Sequence, residues 1–478
     1  MNISDQPSIY EINAAVFLNE QSSKLGSKVT FATVPDETWD EIKLLKVDAV
    51  WFMGVWERSP LAQKMAHNDS SLKKALPDLK EKDIFGSAYS IHHYVVDERF
   101  GGDDALAIAR KKLKERGMSI ILDYVPNHVA IDHVWTRQHP NYFLPASQDE
   151  LLDFPDDFYQ TPSGIIARAK DPNFPPWSDV VQLNAFSPEL RQAVTETLLK
   201  ISSMCDGVRC DMAMLMMNDV FHHTWGHRAG HAPQTEYWPT IISEIKRHHP
   251  HFIFIAEVYW HKEKALLEQG FDLCYDKNLY DALDETSVHG IRKILHKDNE
   301  YQRHLLRFIE NHDEPRAAKV FSSKKHEAAA VIISTLPGVH MYHDGEFEGK
   351  KVKLPVHLAR RRTESLDIGI SQFYSSLLGL LDDLSFKKGA WSMLETRESL
   401  PFIASSHILA WLWERGTDKY IVMVNYSKEP TRGRVILPEA LHLKNPSQLF
   451  GSKDIDATKI TKQKSIDFAP WQYSIVRL

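Results

Sequence analysis

The stretch DGVRCDMAML, residues 206–215, sets the terms for the whole chain. Successive side chains of a strand point to opposite faces, so Arg209 and Asp211 share one face while Val208 and Cys210 share the other. An arginine beside a carboxylate, backed by apolar groups, fits either a structural ion pair or an acid with its electrostatic support. Brief apolar runs of this kind recur along the sequence. They are IYEINAAVF (9–17), VDAVWFMG (47–54), MSIILDYV (118–125), FIFIAEV (252–258), FDLCYD (271–276), HLLRFIE (304–310) and GVHMYH (338–343). Longer amphipathic segments lie between them, at 103–116, 188–204, 234–249, 325–335 and 370–384. Eight strands alternating with helices predict a parallel sheet of the α/β class, and eight is the number that closes a (β/α)8 TIM barrel.

Two departures from the bare repeat define the domains. Residues 129–185 are long, irregular and rich in Pro, Asp and aromatics, the pattern of a functional insertion after strand three. Beyond about residue 385 the pattern becomes alternating strands, ILAWLWER, KYIVMVNYS, RGRVIL and WQYSIVRL, which predict a C-terminal antiparallel β-sandwich. The expected organisation is therefore a barrel over 1–128 and 186–384, an inserted domain over 129–185, and a sandwich over 385–478.

Composition narrows the function classes. With 43% hydrophobic and 25% charged residues, the 478-residue chain has the make-up of an ordinary globular protein. A net charge of −7 argues against a nucleic-acid or anionic-membrane partner. Cys205, Cys210 and Cys274 supply neither a disulfide framework nor a zinc spacing, and Cys210 should face the helical layer. The first residues lack the basic and apolar regions of a signal peptide, and no run reaches membrane-spanning length. A cytoplasmic protein is expected; oligomeric state is not legible.

In this architecture reactive groups sit at the C-terminal ends of the strands. Strand three ends in Asp123, Asn127 and His128, and strand four in Arg209 and Asp211. Strand five ends in Glu257, and strand seven in Glu310, Asn311, His312 and Asp313. The segment GSAYSIHHYVVDERFGG (86–102) adds Tyr89 and Asp97. A single acid at a strand end is most often a cap or a surface charge, and a single histidine most often structural. Acids at the ends of three strands, with two histidines and an arginine, need a joint explanation, because desolvating ionised groups is costly.

DYVPNH (123–128), DGVRCDMAM (206–214), FIAEVYW (254–260) and FIENHDEPR (308–316) resemble the four signature regions of the α-amylase superfamily, glycoside hydrolase family 13. VVQLN (180–184) is similar to a further region at the end of that family's inserted domain. The resemblance implies that Asp211 is the nucleophile, Glu257 the general acid/base and Asp313 the transition-state stabiliser. It implies that Arg209 holds Asp211 ionised, that His128, His312 and Tyr89 line the sugar subsite, and that Asp123 and Asn127 support it. Retaining glycosidases use two carboxyl groups about 5–5.5 Å apart, a separation that neighbouring strands four and five can supply. Ile255, Ala256, Val258, Tyr259 and Trp260 around Glu257 predict an apolar setting that keeps it protonated. Tyr259 and Trp260 are candidate sugar contacts; Trp177 is divided between packing and sugar contact, and Trp51 and Trp56 belong to the core.

Three departures from the family limit what carries over. Many starch-degrading members have Lys-His where this chain has Met214 and Leu215. Many have a calcium-ligating Asp where Gln182 falls, and Asn127 alone does not make a site that takes about 6–8 oxygens, so no metal is expected and the chemistry requires no cofactor. The basic segment EFEGKKVKLPVHLARRRTE (346–364) is either a solvated loop or an anion site. The expected function is retaining cleavage of α-glucosidic bonds in α-glucans or maltooligosaccharides through a glycosyl–Asp intermediate. Transglycosylase, isomerase and phosphorylase activities are the alternatives, and a non-catalytic glycan binder is a further one.

Overall fold

The computed structural model describes residues 6–383, 388–398, 407–438 and 446–478. Its centre is a closed eight-stranded barrel whose strands follow one another in chain order around the wall. They are β1 (Ser8–Asn13), β2 (Ala49–Met53), β3 (Ser119–Tyr124), β4 (Gly207–Cys210), β5 (Ile253–Ala256), β6 (Leu273–Tyr275), β7 (Leu305–Arg307) and β8 (Val339–His343). Pairing is parallel wherever the register is defined, for example Arg209 with Asp123 on one side and Ile255 on the other. Both faces of these strands are buried, which is why they appear as continuous apolar runs. Among the described residues no helix is long and apolar enough to cross a membrane.

The first apolar run divides sooner than its composition suggests. β1 stops at Asn13, whose side chain accepts hydrogen bonds from the Ala15 and Val16 amides and so caps the helix Ala14–Leu25. Gly26, with φ of 68°, ends that helix in the left-handed conformation that glycine adopts most cheaply. Aspartates at strand starts tie neighbouring strands together. Asp206 accepts from the Ile120 amide and pairs with Arg110, and Asp272 accepts from the Phe254 amide.

The chain divides into two compact units, one mainly Tyr10–Tyr275 with Lys353–Thr363, the other mainly Asp276–Val352 and Glu364–Leu478. In the first, residues 129–185 are more ordered than expected. They hold a three-stranded sheet (Pro145–Ala146, Gly164–Ala167, Phe158–Thr161), and Val180–Gln182 pairs with His128–Ala130. Short helices lie at Trp135–Gln138 and Gln148–Asp153, the latter opened by a reciprocal Ser147–Glu150 capping box.

In the second unit a five-stranded and a three-stranded antiparallel sheet face each other across a core that includes Leu412, Ile421, Val435, Phe468 and Val476. The strand Ile408–Arg415 is buried on both faces. Ile408, Ala410 and Leu412 enter the sandwich core, while Trp411 and Trp413 each donate an indole N–H to the Thr335 carbonyl at the end of the helix Ser323–Thr335. The expected start of this domain, residue 385, lies outside the described residues.

Candidate active site

Asp123, Arg209 and Ile255 occupy one level of three adjacent strands. With β3 and β4 in register, the Asp123 carboxylate and the Arg209 guanidinium approach to 3.8 Å inside the barrel. Asp123 is locked from the other side by the Gly54 amide at 2.8 Å, and its carbonyl accepts from the Trp56 indole at 2.7 Å.

Arg209 is the hub. One terminal nitrogen donates to Asp211 Oδ1 at 2.8 Å and the other to Glu257 Oε2 at 2.7 Å, while Nε donates to the Tyr275 hydroxyl at 3.2 Å. The rings of Trp51, Tyr89 and Tyr275 surround the guanidinium at 5.3, 5.4 and 5.7 Å. Burial works against its charge, but Glu257, the tyrosines and Asp211 outweigh that and hold its pKa well above the ordinary value. Arg209 is therefore a permanent cation shared between two acids, and a planar guanidinium is the side chain that can donate to both at once.

The backbone after β4 serves the same pair. The Asp211 amide donates to the Tyr124 carbonyl, the Glu257 amide to the Cys210 carbonyl and the Ala213 amide to the Glu257 carbonyl. Met212 takes up a left-handed conformation, φ 38° and ψ 51°, which costs a non-glycine residue about 1–2 kcal/mol. That turn aims the Met212 amide at Glu257 Oε2, 2.7 Å away. Met212 directly follows Asp211, and strain of this kind clusters at functional sites.

Glu257 departs from expectation in its surroundings. Its apolar chain neighbours do not enclose the carboxylate; Arg209, the Met212 amide and the Tyr259 hydroxyl at 2.7 Å do. Arg209 stands on β4 and Met212 in the turn after it, partners that the sequence around Glu257 does not reveal. Trp260 follows with φ of 59° and is 39% exposed, an aromatic face open to solvent.

His128 is buried, 5.3 Å from the Trp177 ring, and burial lowers its pKa from 6.5 to about 4, so it is a neutral hydrogen-bonding group at physiological pH. Its neighbour Asn127 is committed to the inserted segment. The Gln182 side-chain nitrogen donates to Asn127 Oδ1 at 2.9 Å and to the carbonyls of Asn127 and Leu183 at 3.0 Å. A calcium ion needs about 6–8 oxygen ligands, and here the oxygens converge on an amide nitrogen, a donor. These residues do not fit calcium. Met214 and Leu215 are buried in the short 3₁₀ turn Ala213–Met216. Cys210 lies beside Tyr124 and Tyr237, on the side of the helix Tyr237–His248.

Asp97 does not join this group. It caps the turn Glu98–Phe100 and pairs with Arg99 at 2.6 Å. Of the six cations in the basic segment, Arg360 is answered by Asp83 and Asp78 and Arg361 by Glu20, and these two have a structural role.

Within the second unit, Asn311 Oδ1 accepts from the Asp313 and Glu314 amides and forms the turn that presents Asp313. The His312 Nε2 lies 2.9 Å from Asp313 Oδ2, and the Asp313 side chain is 44% exposed while His312 is buried. Beneath the turn, buried Glu310 pairs with Arg316 and accepts from the Ala317 amide at 2.7 Å. Burial would raise the Glu310 pKa, but Arg316 and His343 outweigh it and bring it to about 2. Glu346, buried near Glu310, is pushed well above the carboxylate range by burial and by that neighbouring charge. Tyr275, His343 and Glu346 had no signal in the sequence, because each acquires its partner only through folding.

The family model for the alpha-amylase catalytic domain matches residues 37–365. An alpha-amylase, MalA, of Haloarcula japonica is 22% identical over 438 residues, 88% of this chain and 56% of its own length. An alpha-1,4-glucan:maltose-1-phosphate maltosyltransferase of Rhodospirillum rubrum is 26% identical over 259 residues, 53% of this chain and 32% of its own. The chain thus corresponds to about half or less of these relatives. Among solved structures, a maltogenic alpha-amylase, AmyB, of Thermotoga neapolitana superposes with a TM-score of 0.67 at 19% identity, covering 100% of this chain and 97% of the other.

Proposed function

The chain belongs to the alpha-amylase family, and on that premise we propose that it is a retaining α-glycosidase acting on α-glucans or maltooligosaccharides. One observation carries this: Arg209 donates to Asp211 and Glu257 from a single guanidinium. A nucleophile and an acid/base held side by side suit a double displacement, in which the carboxyl groups stand about 5–5.5 Å apart.

In the first step Asp211 attacks the anomeric carbon while Glu257 gives a proton to the departing glycosidic oxygen. In the second, Glu257 takes a proton from water, which attacks the same carbon and releases Asp211. Asp313 stabilises the cationic sugar of both transition states. Neutral His128, with His312 and Tyr89, orients the sugar, and Tyr259 and Trp260 are further sugar contacts. No cofactor enters this chemistry.

Buried Met214 and Leu215 leave the acceptor side without the polar pair many relatives carry, and the maltosyltransferase resemblance gives transfer to a sugar or phosphate as the second reading. Incubation of the purified chain with maltooligosaccharides, with and without phosphate, separates the outcomes. Hydrolysis raises reducing ends with retained anomeric configuration; transfer redistributes chain lengths; phosphorolysis yields a sugar 1-phosphate. An absence of any product, or equal turnover by Asp211→Asn, would overturn the proposal.

A further inference from the structure

Away from Arg209 and its acids, Glu57, His92 and His93 bring one carboxylate oxygen and two ring nitrogens within 4.8 Å of one another. They lie on a hairpin in which Trp56–Arg58 pairs antiparallel with Ile91–Val96. Two consecutive histidines on a regular strand would point to opposite faces. Here the register shifts on both sides of Glu57, whose partner is His93, while Trp56 pairs with Val96 and Arg58 with Ile91. The shift between Glu57 and Arg58 leaves His92 as an extra residue, and such a bulge re-aims side chains. The two imidazoles consequently stand edge to face with centroids 4.2 Å apart.

Glu57 Oε2 lies 2.9 Å from His93 Nδ1 and 3.7 Å from His92 Nδ1. The His92 Nδ1 atom is buried and has no hydrogen-bond partner, a condition that ordinarily calls for an explanation. Behind the pair, the His133 ring lies 5.9 Å from that of His93, with its Nδ1 accepting from the Trp135 amide at 3.1 Å.

We propose that Glu57, His92 and His93 bind one divalent transition-metal ion of the zinc type, with water in the remaining position. Two imidazoles and a carboxylate are the donor set of borderline-soft cations, whereas calcium and magnesium take oxygen ligands. Zinc bonds of about 2.0–2.2 Å require the three ligand atoms to readjust, Glu57 and His93 opening slightly from 2.9 Å and Glu57 and His92 closing from 3.7 Å. Side chains that are 40%, 22% and 40% exposed have the freedom to rotate to that geometry. The bound ion would cross-link the antiparallel strands Trp56–Arg58 and Ile91–Val96, which lie before and after Tyr89 in the chain, outside the group organised by Arg209.

The test is calorimetric titration of the metal-free full chain with Zn²⁺, alongside His92→Ala, His93→Ala and the milder His93→Asn. One tight equivalent is expected, weakened at least about tenfold in each variant, and unaffected by excess Ca²⁺. Co²⁺ should occupy the same site and give visible absorption bands that each variant loses. The chain has 24 histidines, so weak additional zinc binding is expected elsewhere. A tight equivalent that survives in the variants, or no tight equivalent in the unmodified chain, overturns the proposal. Circular dichroism of each variant without metal shows whether it folds, and His93→Asn keeps the test open if the alanine variants do not.

Discussion

Arg209 lies as close to Glu257 as to Asp211, 2.7 against 2.8 Å. One buried cation thus fixes the spacing of the two acids as well as the charge of one of them. Lysine offers a single ammonium in place of this fork. Arg209→Lys is therefore expected to lower kcat/KM by at least about 100-fold, the scale of losing an oriented electrostatic contact in a site. Removing the cation altogether strands buried carboxylates, a loss of about 3–5 kcal/mol. Arg209→Met should consequently melt well below Arg209→Lys in a thermal unfolding comparison. Similar kinetics for Arg209→Lys and the unmodified chain would rule out the fork as the organising element.

Tyr259 touches the other oxygen of Glu257, at 2.7 Å. A hydrogen bond is worth about 0.5–1.5 kcal/mol, so Tyr259→Phe should lower kcat roughly 2- to 10-fold. Tyr259 is half-buried, and loss of its hydroxyl should lower the melting temperature by no more than that one hydrogen bond accounts for. Steady-state kinetics and a thermal melt on the same preparation give both numbers. A fall in stability with kcat intact would assign Tyr259 to packing.

The barrel was legible in the sequence because strands buried on both faces are continuous apolar runs, and all eight survive with trimmed ends. The first run was overextended for a physical reason. Ala14–Phe17 is as apolar as the strand before it, and only Asn13 marks the change to helix. Asp211, Arg209 and Glu257 were visible as polar residues at strand ends, but the surroundings of Glu257 were not. Two of its partners come from β4 and from a strained turn distant in sequence, and the third is the hydroxyl of Tyr259. Likewise no periodicity reveals that His92 and His93 share a side, since that depends on a bulge in the pairing.

Acid should destabilise the protein through its buried neutral histidines. His326, fully buried and 2.9 Å from the Tyr374 hydroxyl, has its pKa lowered by burial from 6.5 to about 4. The unfolded chain takes up this proton near pH 6.5 and the folded chain only near pH 4. The stabilising contribution is thus fully present above pH 6.5 and is lost as pH falls to 4, at most about 3 kcal/mol. His326→Gln lacks this titration. It should be less stable than the unmodified chain at pH 7.5, and the gap should narrow by several degrees at pH 4.5. Parallel melting curves across that range would show that His326 does not titrate differently in the two states.

The Gln182 amide nitrogen donates to three oxygens within 2.9–3.0 Å. Millimolar Ca²⁺ should therefore leave the melting temperature of the unmodified chain unchanged. Gln182→Asp reverses the electrostatics: a buried anion would face the Asn127 and Leu183 carbonyls with no donor between them. Leaving buried polar groups so mismatched costs about 1–3 kcal/mol or more, so the variant should melt several degrees lower without calcium. Added Ca²⁺ can then bridge the introduced carboxylate and those oxygens, and binding to the folded state alone restores stability in proportion to the logarithm of ligand excess over Kd. Recovery with Ca²⁺ in the variant, and none in the unmodified chain, is the expected pair of results. A variant that stays destabilised at every calcium concentration would mean that the surrounding oxygens are too few to hold the ion even when the carboxylate is restored.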